Sequence, residues 1–144
     1  MAPSDAVPDV TRLSEELLDL VLRALDHGTQ SIALGGPLIP FVMAESAARE
    51  RNHERFLADT RETALKMARE HIGQLTADAQ RVALAYDGSV TIGGERSAAV
   101  LVEAQERGKA GSVIFAQRYQ PGGRERRLTR TCNAAFLGDG DPLF

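Results

Sequence analysis

The stretch Arg81-Val-Ala-Leu-Ala-Tyr-Asp-Gly-Ser-Val-Thr-Ile-Gly-Gly-Glu-Arg-Ser-Ala-Ala-Val-Leu-Val-Glu-Ala-Gln-Glu106 decides the fold. Side chains alternate with a period of two, the spacing of β-strands, and Asp87-Gly88 and Gly93-Gly94 are turn pairs. Strands are expected at Val82–Tyr86, Ser89–Ile92 and Arg96–Glu106, then at Ser112–Tyr119 and Arg124–Cys132. Turns this frequent leave no room for crossover helices, so the strands should form an antiparallel meander.

The register follows from the turns. A two-residue Asp87-Gly88 turn puts Ala83, Ala85, Val90 and Ile92 on one face. A three-residue loop at Gly93 to Glu95 then adds Ala98, Val100 and Val102, whereas a two-residue loop would bring Glu95, Ser97 and Glu103 onto that face. The three-residue loop is therefore expected. Leu84, Tyr86, Ala99, Leu101 and Glu103 fall on a second, partly apolar face.

Upstream, apolar residues from Val10 to Leu25 recur every three to four positions, a helix capped by Asp9 or Thr11 and closed by Gly28. Ser31 to Met43 reads as a hairpin about Gly35-Gly36, with Pro40 leaving its second run one open side. A second helix is expected from Glu50 or Glu54 to Leu75, with Glu45 to Arg55 either its start or a loop. Residues 1–8 form a loose tail and 9–144 one α+β domain. Its order is α-β-β-α-β-β-β-β-(β), with two helices packed on the meander.

A chain of 144 residues, with 43% hydrophobic and 26% charged residues, can bury a core without metal or disulfide staples. The net charge of −3 gives no general attraction to nucleic acid. Cys132 is the only cysteine, which fits a reducing cytoplasm and excludes cysteine-rich zinc sites. The segment Met1 to Pro8 is no signal peptide, and the apolar run Ser31 to Ala44 is too short and broken to span a membrane. Fifteen arginines stand against two lysines, a codon bias of GC-rich, bacterial genomes.

No motif implies a cofactor or a complete metal site. Gly108-Lys109-Ala110 lacks the hydroxyl residue of a phosphate loop and is read as a turn. His27, His53 and His71 lack metal-pair spacing within a helix, and His27 is placed at a helix C-terminus. Asp87 followed by Val100-Leu-Val-Glu103-Ala-Gln105 resembles, over about 20 residues, the PD-(D/E)xK motif of metal-dependent nucleases. That resemblance implies Asp87 and Glu103 as metal ligands, but Gln105 stands where the water-orienting Lys belongs. Residues 107–132 carry a net charge of +6, and Arg124, Arg126 and Arg130 would share one strand face able to meet phosphate or an acidic surface.

The order of elements is similar to that of profilin-like and roadblock-type modules, which bind partners or dimerise. No residue motif goes with the likeness. The expectation is thus a non-catalytic module that dimerises or binds a protein through the face carrying Leu84, Tyr86 and Leu101. A hydrolase site at Asp87 and Glu103 is the alternative. Phosphate or nucleic-acid contact by the Arg-rich strand is a third reading.

Overall fold

The computed structural model describes residues 13–35, 38–109, 111–120, 129–130 and 134–144. Among the described residues it is an α+β fold with one antiparallel sheet and two helices. The elements are α1 (Glu15–Ala33), β1 (Phe41–Ser46), β2 (Arg51–Arg55), α2 (Arg61–Gly73), β3 (Ala79–Ile92), β4 (Glu95–Glu106), β5 (Ser112–Gln120), β6 (Thr129–Arg130) and β7 (Ala135–Gly140). The strands lie in the order β2-β1-β3-β4-β5-β6, and β7 also pairs with β5.

Helix α1 is capped by Ser14, whose Oγ accepts from Leu17 N–H at 3.0 Å, with Glu15 and Glu16 favouring the first turn. The expected caps Asp9 and Thr11 lie outside the described residues. The helix runs through Gly28 and ends at Leu34, followed by Gly35 with φ 102°. Gly28 is a packing residue rather than a stop. A Cβ there would sit 2.8 Å from Val100 Cγ1, so the missing side chain lets β4 approach the helix.

The hairpin expected about Gly35-Gly36 lies one element later, between β1 and β2. Its turn is held by Ser46 N–H to Glu50 O and by Arg49 at φ 66°. Thus Glu45 to Arg55, read as helix start or loop, is mostly strand. Thr60 caps α2 by accepting from Thr63 N–H, and Ala64, Ala68 and Ile72 form its buried stripe.

Asp87-Gly88 is not a turn. Strand β3 runs straight through it, and the reversal is the two-residue Gly93-Gly94, with φ 62° and 82° and Ile92 paired to Glu95. A turn with both central φ positive matches the strand twist, and glycine adopts it without strain. These two departures cancel in parity. Ala83 and Ala85 still share a face with Ala98, Val100 and Val102, while Leu84 and Tyr86 share the other with Leu101 and Glu103. Val90 and Ile92 change sides.

The helices cover opposite faces of the sheet. Leu17, Leu20, Val21, Ala24 and Leu25 of α1 pack on Phe41, Ala85, Val100, Val102 and Phe115. Ala68 and Ile72 of α2 pack on Val42, Val82 and Leu84, with Leu143 beside them. Both faces of the sheet carry an apolar stripe, and each stripe needs a cover. Among the described residues, no helix is long and apolar enough to cross a membrane.

Candidate functional site

The sheet ends at β2, an Arg51-Asn-His-Glu-Arg55 strand exposed along its whole length. Its ladder with β1 is regular from Phe41–Arg55 to Glu45–Arg51. Phe56 N–H donates to Pro40 O and Ser46 N–H to Glu50 O, which marks the even-numbered pairs as hydrogen-bonded. Hydrogen-bonded and open pairs alternate in an antiparallel ladder. Arg51, His53 and Arg55 therefore turn their N–H and C=O groups outward. The same three side chains lie on the α1 face, because they pair with Phe41, Met43 and Glu45.

Arginine bonds hold this edge in place. Arg51 reaches Glu45 at 2.8 Å, and Arg81 reaches the other oxygen of that fully buried carboxylate at 2.6 Å. Arg49 and Arg23 both meet Asp19 of α1 at 2.9 Å. The bond from Arg23 holds the Asp19 carboxyl below its ordinary value.

Beside the edge, His27, Phe41 and His53 form an edge-on cluster with ring centroids 4.5–4.9 Å apart. Burial and the neighbouring His27 push the His53 pKa below 6.5. A cleft of about 230 Å³ opens there, lined by His27, Ser31, Leu34, Leu38, Ile39, Phe41 and Arg55. Leu34 is 88% exposed at its rim. The two histidines are far apart in sequence, and only the β1–β2 register brings His53 beside α1. A larger cavity of about 460 Å³, lined by Leu17, Ala104, Glu106, Lys109, Val113 and Asp139 among others, lies by the β4–β5 turn.

The sequence candidates are placed differently. Leu84 is fully buried beneath α2, and Leu101 is half-buried, with its Cδ1 over Gly88. Of the apolar face, Leu84 is covered by α2 within the chain, while Tyr86 and Leu101 are covered in part. Tyr86 donates to Glu103 Oε2, and Arg69 grips both oxygens of Glu103 at 2.8 and 2.9 Å. Burial alone would raise the Glu103 pKa, but the Arg69 and Tyr86 bonds outweigh it and hold the carboxyl below 4.5. Burial and the Glu103 charge push the Tyr86 hydroxyl well up. Arg69 was missed from sequence. The signal was a glutamate within an apolar strand, which calls for a cation from the margin of a helix stripe.

Asp87 and Glu103 face opposite sides of the sheet. Asp87 pairs with Val100 and accepts from Tyr119 Oη at 2.8 Å on the α1 face, whereas Glu103 lies under α2. The structure does not bring them together as ligands of one metal. Gln105 instead pins the chain near residue 143: its Oε1 accepts from Leu143 and Phe144 N–H, and its Nε2 donates to Lys109 O. Among the described residues, no group of three or more His, Cys, Asp or Glu is placed to hold a metal. Arg124 and Arg126 lie outside the described residues, as does Cys132. Arg130 belongs to β6, paired with Tyr119.

No protein family, curated protein or solved structure matches the chain.

Proposed function

We propose that this chain is a non-catalytic protein-interaction module of a bacterial cytoplasm, and that its contact surface is the β2 edge with the adjoining cleft. The observation that carries this reading is the open edge: a regular terminal strand, exposed throughout, with three outward backbone sites beside an exposed leucine. Such an edge is a template for one further strand. The opposite side of the sheet is less suited, since the β5–β7 pairing shifts register between Ile114 and Phe115 and Gly138 adopts φ 133°.

The occupant is a different chain rather than a second copy. Whether two β2 strands pair in register parallel or antiparallel about His53, arginine meets arginine, which is unfavourable.

The test is an unbiased display library of short peptides selected on the folded protein, with binders mapped by amide hydrogen exchange. The reading expects slowed exchange at the outward amides of Arg51, His53 and Arg55. Recovery of no binder that protects these amides would sink it.

A further inference from the structure

On that reading of β2 as the contact edge, we infer that the partner is an extended segment with acidic residues at every second position, added antiparallel to β2. Three observations converge. The outward backbone groups belong to Arg51, His53 and Arg55, so these positions form the hydrogen-bonded pairs with an incoming strand. Side chains of such a pair lie opposite each other on one face, here the α1 face, which presents two arginines and an imidazole. The surroundings are rich in arginine although the chain carries −3 overall: Arg23 and Arg49 share Asp19, Arg51 and Arg81 share Glu45, and Arg55 adds positive charge beside His53.

The other face sets a second condition. Between Arg51, His53 and Arg55 lie Asn52 and Glu54, both exposed. A partner residue beside Glu54 should therefore not be acidic. The recognised pattern is acidic-x-acidic-x-acidic, with x neutral or basic, and a run of consecutive acids fits poorly. An apolar residue just beyond the pattern can reach Leu34 and Ile39 in the cleft that Arg55 also lines.

A charged edge strand also protects a sheet from aggregation, and that simpler role needs no partner. Two synthetic peptides of equal composition separate the possibilities: acetyl-Thr-Glu-Thr-Glu-Thr-Glu-Thr-amide and acetyl-Thr-Thr-Glu-Glu-Glu-Thr-Thr-amide. Titrated into the labelled protein and followed by NMR, the alternating peptide is expected to bind about tenfold tighter. It should protect the amides of Arg51, His53 and Arg55. Arg55→Glu should weaken it about tenfold by reversing one facing charge, and Arg55→Pro should weaken it similarly by removing one outward N–H. A circular-dichroism melt confirms that each variant is folded. Equal binding of the two peptides, or protection elsewhere on the fold, overturns the inference, as does indifference to Arg55→Pro. If the library yields β2 binders without alternating acids, the acidic pattern fails while the edge stands. If it yields none at β2, both fail.

Discussion

At the scale of single residues, Gly28, His53 and Glu103 carry more than their types suggest. Gly28 looks like a helix stop, and a neighbour distant in sequence, Val100, decides otherwise. Gly28→Ala should gain about 1 kcal/mol in helix propensity but lose about 1–3 kcal/mol through overpacking against a stiff, buried valine. A urea titration should show net destabilisation. His53 makes folding pH-sensitive, because its pKa is lowered in the folded state by burial and by His27, with Arg55 adding to the effect and Glu54 opposing it. Below about pH 6.5 the unfolded chain takes up a proton that the folded chain resists. Stability is therefore lost as pH falls from 6.5 towards the folded value. Urea midpoints measured between pH 7.5 and 5 should show a smaller fall in His53→Asn. Glu103 acts in a lower window, since its depressed pKa adds stability that is lost as pH falls below 4.5.

At the scale of elements, α2 is fixed as much by arginine as by apolar burial. Only Ala64, Ala68 and Ile72 are buried along it, while Arg61 bonds Asp87 O at 2.6 Å and Arg69 clamps Glu103. Arg69→Met should cost about 1–2 kcal/mol, because it strands a largely buried carboxylate beside Tyr86. Partial exposure of the arginine keeps the cost below that of a fully buried pair. A double-mutant cycle with Glu103→Gln should recover much of it as coupling. The edge strand offers a sharper contrast. Asn52→Pro removes an inward N–H from the β1–β2 ladder and should cost about 3 kcal/mol, whereas Arg55→Pro removes an outward one and should leave the thermal midpoint nearly unchanged. Similar losses in both variants would refute the derived pattern of inward and outward groups.

At the scale of the whole molecule, each face of the sheet carries a helix of the same chain, and among the described residues β2 is an edge strand exposed along its length. Light scattering at high micromolar concentration should thus find a single species of 15.5 kDa. The α+β class and the antiparallel meander were legible in the sequence, because alternation acts locally. The pairing of Ala83 and Ala85 with Val100 and Val102 on one face came out as expected only because two turn errors cancelled, and Val90 and Ile92 fell on the other side. The turn at Asp87-Gly88 was misjudged because its local propensity is outweighed by continuous pairing of β3 with β4 on both sides of it. The span Glu45 to Arg55 was obscure because its charged residues show no apolar alternation; it becomes strand through pairing with β1, itself held by β3. The candidate site was the least legible part. His27 and Arg55 line a cleft with Leu34, and His53 meets His27, only once α1 lies against the sheet. Sequence by itself determined which residues are apolar at what period, and so the kinds of element and the need for two covers. Tertiary structure alone decided that α1 and α2 take opposite faces, that Glu103 is paired under α2, and that an arginine-rich edge is left open. Such outcomes depend on contacts between residues far apart in the chain, which no local period encodes.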